Sequence, residues 1–227
     1  MPDQEINRRT FLKVTTVAGT GMLVGCSFQS NPLVSTPDVK SEELGLFVRI
    51  SKDNNITIIS PTSEIGQGTH TAHAMIIAEE LDADWENINV VTTNNINSEY
   101  NTDSWGVYTG GNRGIRFWWD RLRVIGAGTR ELLVTAGAQK MDVPLIECTA
   151  QNGHVVHLPS GRQLSFGELA LIASKLKPSS NPRLKSEEKF RFVGKPMRRV
   201  DIPKKVNGSA IYSSDIRLPG MLYAAVR

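Results

Sequence analysis

Between residues 56 and 81 the apolar period of the chain changes from that of a strand to that of a helix across one glycine-containing loop, which commits the segment to a strand, a tight passage and a helix. Ile56-Thr57-Ile58-Ile59 has the β-branched composition of a strand. With Leu46 to Ile50 before it and Lys52-Asp53-Asn54-Asn55 between, the two runs read as a β-hairpin. Pro61 to Gly68 is the loop. From Thr69 onward Ala74, Ile77, Ala78 and Leu81 recur at i, i+3, i+4 and i+7, the stripe of an amphipathic helix. Ile88 to Thr93 returns as a strand, Tyr100 to Gly114 is polar and glycine-rich, and a second helix is expected from Ile115 to Gln139. Within it Gly126-Ala127-Gly128 permits either close packing or a break. The fold class expected is α+β.

Downstream, Asn152-Gly153 is a strong type I′ turn signal inside Ile146 to Leu164, so a three-stranded meander is expected there. Ser165-x-x-Glu168 has the form of a capping box and opens a helix from Gly167 to Leu176, ended by Pro178. The globular unit is therefore read as 45–176. Residues 177–193, rich in Pro, Ser, Asn and charge over Lys177 to Lys189, read as a linker to a second unit at 194–227. There Val206 to Tyr212 and Met221 to Val226 read as strands, the second running to Arg227, a pattern expected of a truncated domain.

The first 26 residues read as targeting sequence and not as structure. Asn7-Arg8-Arg9-Thr10-Phe11-Leu12-Lys13 places a twin arginine before the apolar, glycine-spaced run Val14 to Gly25, which is too short to span a bilayer stably. An amphipathic helix is disfavoured by Gly19, Gly21 and Gly25. Twin-arginine leaders resemble those of bacterial proteins exported already folded, so the expected location is the periplasm or the outer face of a bacterial membrane. Leu23-Val24-Gly25-Cys26 is similar to a lipobox, which would make Cys26 a lipidation site and 27–44 a tether; the alternative is a buried or processed cysteine in an ordinary leader. Cys148 is the other of the two cysteines, so neither a disulfide framework nor a self-contained iron–sulfur site is expected. A net charge of +3 across 227 residues implies no nucleic-acid partner, and the basic run Lys195 to Lys205, interrupted by Pro, Asp201 and apolar residues, reads as a solvated connector.

Two segments invite a binding role. Gly66-Gln67-Gly68-Thr69-His70-Thr71 lies between strand and helix, where unbonded N–H groups and the helix dipole favour an anion. Thr69 and Thr71 offer hydroxyls to phosphate oxygens, and the Gln67 amide suits a heterocycle edge or an oxo group. The competing reading is a tight turn with a threonine cap. Thr109-Gly110-Gly111-Asn112-Arg113-Gly114 precedes a second helix, so Gly110, Gly111 and the charge of Arg113 form a second set, and a dinucleotide has the length to use both. His70 with His73, and His154 with His157, do not make a metal site, since the first pair supplies two ligands and the second falls on opposite faces of a strand; these histidines read as solvated or facing a cofactor. Glu64, Glu79 and Glu80 read as structural, Phe117, Trp118 and Trp119 as core or subunit contact, and no catalytic residue is assigned.

Glu64 to Thr71 followed by Ala78-Glu79-Glu80-Leu81 resembles the cofactor-binding segment of molybdenum hydroxylase large subunits, the family of xanthine dehydrogenase and aldehyde oxidase. The isoquinoline 1-oxidoreductase β-subunit type is nearer, through the twin-arginine leader, Gly126 to Leu133 and Ser165 to Ala170. Asp201 to Ala210, Asp215 and Leu218 to Ala224 are similar to the opening of that family's α/β hammerhead domain. The family would place a serine-rich run where Asn112-Arg113-Gly114 stands. The resemblance implies molybdopterin cytosine dinucleotide as cofactor, hydroxylation of an aldehyde or N-heterocycle with water-derived oxygen, electrons passed to a [2Fe-2S] iron–sulfur small subunit, and a membrane electron acceptor beyond it. It also implies an N-terminal fragment inactive alone, because the family's general-base glutamate lies in a C-terminal segment. The alternative is a non-catalytic exported lipoprotein or assembly module that retains the fold.

Overall fold

The computed structural model describes residues 47–93, 100 and 107–225, together with the backbone strands 13–17 and 21–25. The expected hairpin is formed by β3 (Val48–Ser51) and β4 (Ile56–Ser60), antiparallel with Val48 opposite Ile58. β4 then pairs in parallel with β5 (Ile88–Thr92), Ile56 opposite Ile88 and Ser60 opposite Thr92. A parallel pair requires a crossover, and α1 (Thr69–Leu81) supplies it. The residues read as leader take a place in this sheet: β1 (Lys13–Val17) and β2 (Gly21–Gly25) form an antiparallel pair, and β2 continues onto β3, so the order is β1-β2-β3-β4-β5. Arg8, Arg9, Cys26 and the tether lie outside the described residues.

The second glycine-rich loop opens a short α2 (Arg113–Arg116), and after a break at Phe117 and Trp118 the long α3 (Trp119–Met141) crosses α1. Gly126 belongs to a packing contact and not to a helix break. A Cβ there would meet the carbonyl of Ile77 and the Cβ of Glu80 at 2.8 Å, closer than side chains tolerate. The meander follows as expected, β6 (Cys148–Gln151), β7 (His154–His157) and β8 (Gln163–Ser165), with Asn152 and Gly153 both at positive φ in the first turn. Ser165 and Glu168 close the capping box of α4 (Phe166–Ala173). Asn54 joins the two sheets, donating to the Gly153 carbonyl at 3.3 Å and accepting from the Gly167 N–H at 3.0 Å. One apolar core runs through both, from Phe47, Ile50 and Ile58 past Ile77, Trp118 and Leu133 to Val155, Phe166 and Leu169. Trp118 is fully buried, so the aromatic run at 117–119 contributes to the core.

Two expectations need correction. The stretch 177–193 is not a free linker: the Lys185 N–H donates to Glu80 at 2.9 Å, and the Arg191, Phe192 and Val193 N–H groups all donate to one carboxylate oxygen of Glu79 at 2.7, 2.6 and 3.1 Å. It is a strap bound to α1, with Phe192 buried against Trp85. Beyond it the expected strands are absent from the described residues. Val206 closes a short α5 (Ile202–Val206) with Pro203 in its first turn, where no N–H is needed, and Ile211 and Leu222 are exposed at 77% and 91%. Apolar alternation makes a strand only where another strand completes its hydrogen bonds.

Candidate cofactor site

The end of β4, the loop 61–68, the start of α1 and the second glycine loop meet at one place. Gly68 is the residue before the helix, at φ +84°, a left-handed conformation that a side chain would strain. No side chain caps the helix from that position. Glu64 does so from the loop: its Oε1 accepts the N–H of Gly66 and of Gly68, both at 2.9 Å, and its Oε2 accepts the N–H of His70 at 3.1 Å. Burial opposes ionisation of this carboxyl, but the N–H groups of Gly68, His70 and Gly66 and the charge of Arg199 outweigh it and hold its pKa below the usual glutamate value. The N–H groups of Gly66 and Gly68, expected to cradle phosphate, are thus committed within the chain.

Gln67 is also turned inward, its Oε1 accepting from Ile65 N at 2.6 Å and its Nε2 donating to the Ser63 carbonyl at 2.8 Å. Thr71 Oγ1 accepts from Val200 N at 3.1 Å, so that hydroxyl binds the later segment. Arg199 reaches the loop from the same segment, donating to the Gly66 carbonyl at 2.9 Å and pairing with Glu64 at 3.3 Å and with Asp201 at 2.6 Å. Its hydrogen bond, helped by one from Lys205, holds the Asp201 carboxyl well below the ordinary aspartate range against the opposing effect of burial.

The second loop is fastened directly to the first. Ser63 N donates to Thr109 Oγ1 at 2.9 Å, and His73 Nε2 lies 2.7 Å from the Gly114 carbonyl, with His73 Nδ1 3.0 Å from Ser60 Oγ. A carbonyl only accepts, so Nε2 carries the proton and Nδ1 is an acceptor that competes with the Thr62 carbonyl, 2.9 Å from Ser60 Oγ, for the one Ser60 hydroxyl proton. His73 is fully buried, which corrects the reading of it as solvated or facing a cofactor; His70, half-buried, bonds Thr92 Oγ1 at 2.9 Å. Gly114 packs so tightly on Thr69 that a Cβ would meet its methyl at 2.9 Å. Near that contact lie the hydroxyls of Thr62 and Thr69, both buried and without a hydrogen-bond partner among the described residues. Gly111 and Asn112 turn the second loop with φ of 55° and 56°, and the Arg113 guanidinium lies 5.4 Å from the centroid of the Phe117 ring.

The eight expected contact residues fall in two adjoining loops, Gly66, Gln67, Gly68, Gly110 and Gly111, and in the first turns of the helices that follow them, Thr69, Thr71 and Arg113, but the donors of Gly66, Gly68 and Gln67 are already used. Thr69 retains an unspent hydroxyl. Sequence reading missed Glu64 as a cap, His73 as the tie between the loops and Arg199 as the clamp. The first had a signal, an acid just ahead of a glycine-flanked helix start; the other two join residues far apart in the chain. A separate cleft lined by Asp82, Arg130, Val134 and Cys148 lies at the C-terminal end of α1, away from both loops.

The molybdopterin cofactor-binding domain family model matches residues 4–213. Over 97% of its length the chain is 34% identical to the β subunit of isoquinoline 1-oxidoreductase from Brevundimonas diminuta, covering 33% of that protein. A membrane-bound aldehyde dehydrogenase of Gluconacetobacter polyoxogenes, named for pyrroloquinoline quinone, is 33% identical over 96% of the chain and 29% of its own length. A nicotinate dehydrogenase subunit from Pseudomonas putida is 31% identical over 84% of the chain and 16% of its own length. The chain spans about a third or less of the length of these curated relatives.

Proposed function

The chain belongs to the molybdopterin cofactor-binding domain family, and on that premise we propose that it holds part of the cofactor where its two glycine loops meet. The observation that carries this is the pair of buried, partnerless hydroxyls of Thr62 and Thr69 beside Gly114. An unmatched buried hydroxyl costs about 1–3 kcal/mol, so a site that keeps two of them is built for a group that supplies their partners. The open space over Gly66 and Gly68, where an added Cβ would meet nothing within 4 Å, lets a flat ligand approach the backbone. These residues fit a hydrogen-bonding heterocycle such as a pterin; bound there, the group would supply the redox metal, and the protein its position.

The fuller reading is a piece of an oxidoreductase subunit that acts on aldehydes or N-heterocycles, uses the cytosine dinucleotide form of the cofactor and passes electrons to an iron–sulfur subunit. The names of the relatives, an isoquinoline oxidoreductase subunit, an aldehyde dehydrogenase and a nicotinate dehydrogenase subunit, support it. Export by the twin-arginine route, with a lipid on Cys26, is supported by Asn7 to Lys13 and Leu23 to Cys26. Release of bound material from the purified protein, with assay of molybdenum, pterin and cytosine nucleotide, tests the cofactor assignment. Pterin accompanied by a purine nucleotide would refute the cytosine form, and no pterin would refute the site.

A further inference from the structure

The N-terminus of α1 is an anion seat with an anion already in it. Three N–H groups that the helix and its approach leave over, those of Gly66, Gly68 and His70, converge on the carboxylate of Glu64 at 2.9, 2.9 and 3.1 Å. Arg199 pairs with that carboxylate from the far side at 3.3 Å and at the same time holds the loop through the Gly66 carbonyl. Asp201, tied to Arg199 and Lys205 at 2.6 Å each, adds a second negative group to the same cluster. Glu64 spends both oxygens on backbone donors and is turned into the loop; nothing in this geometry offers it to a reaction.

We propose that Glu64 is a specificity-determining residue that fills the anion seat of the first loop, excludes phosphate from it, and leaves the loop to an uncharged, hydrogen-bonding portion of the cofactor. A phosphate brought to the same N–H groups would have to displace a carboxylate that is already bonded three times, or stand beside it as a like charge in a partly buried site. The phosphate of a bound dinucleotide therefore lies away from the start of α1. Although its meaning rests on the cofactor-site reading, the role of Glu64 is tested with inorganic phosphate alone.

Phosphate is titrated at neutral pH into the wild-type chain and into Glu64→Ala while the backbone amide signals of Gly66, Gly68 and His70 are followed by NMR. The wild-type signals stay put, and those of Glu64→Ala shift together along one saturable curve. A second measurement, on wild type alone, covers the case in which Glu64→Ala loses the loop's shape: on acidification the three amide signals move with the Glu64 carboxyl, at a midpoint below that of an ordinary glutamate. Saturable phosphate shifts at these amides in wild type would overturn the proposal. So would amides indifferent to the ionisation of Glu64, or a well-ordered Glu64→Ala loop that ignores phosphate. Failure of the cofactor-site reading would show differently, as wild type without bound pterin, and would leave these phosphate responses as they are.

Discussion

Thr69 is 2% exposed and its buried hydroxyl is unbonded among the described residues, so on stability alone valine is the better residue. Thr69→Val is expected to raise the stability of the cofactor-free chain by about 1 kcal/mol in denaturant unfolding while lowering retention of bound pterin. A loss of stability with unchanged retention would mark the hydroxyl as structural. His73 sets a pH dependence. Burial pushes its imidazole pKa down to about 4, against the opposing pull of the Gly114 carbonyl, from an ordinary value of 6.5. The unfolded chain therefore takes up a proton below pH 6.5 that the folded chain refuses until about pH 4, so stability is full above 6.5 and declines as pH falls through that window. The loss is on the order of 3 kcal/mol. His70, shifted the same way by burial, adds to it, whereas Glu64 and Asp201 act in a lower range. Unfolding free energies from pH 7 to 4 should show a slope that flattens in His73→Gln; an equal slope in both proteins would assign the effect elsewhere.

The elements that sequence made legible are those whose signals are local. The hairpin at 48–60, the crossover helix, the meander turn at Asn152-Gly153 and the capping box of Ser165 and Glu168 each carry their determinants within a few residues. The strap does not. Its Pro, Ser and Asn content is that of a linker, and what binds it is a pair of acids more than a hundred positions upstream, Glu79 and Glu80, which a reading of 177–193 alone cannot register. Glu79→Ala leaves three N–H groups of the strap without their acceptor and Lys185 without one of its carboxylates. We expect a cost of about 3–5 kcal/mol and a loss of amide-exchange protection at Arg191 to Val193. Retained protection there would mean that Phe192 alone holds the strap. The two N-terminal strands raise a matching question. If export removes residues up to Gly25, it also removes β2 from β3 and opens the edge of the sheet. A chain beginning at Cys26 should then unfold at lower denaturant than the whole chain; an identical midpoint would show that the hairpin adds nothing to the sheet.

At the scale of the molecule, one core and two sheets bring a β-strand end, a helix start and two loops from separate parts of the chain to a single junction. Sequence placed each glycine loop just ahead of a helix but did not show how the donors there are spent: Glu64 and Gln67 close on neighbours inside the first loop, and Thr71 meets Val200 only once the segment at 199–201 is folded against α1. What remains for a ligand is the ground around Gly114, Thr62 and Thr69, and this makes Gly114 the most direct probe of the site. An alanine there intrudes on the Thr69 methyl at 2.9 Å, so the Thr69 side chain has to shift and carry its hydroxyl with it. The decisive measurement is the pterin released per chain from wild type and Gly114→Ala, purified side by side after expression with molybdate. A cofactor held at the junction of the loops requires substantial pterin in wild type and a severalfold fall in Gly114→Ala, with little change in unfolding midpoint; equal pterin in two equally folded proteins would contradict it.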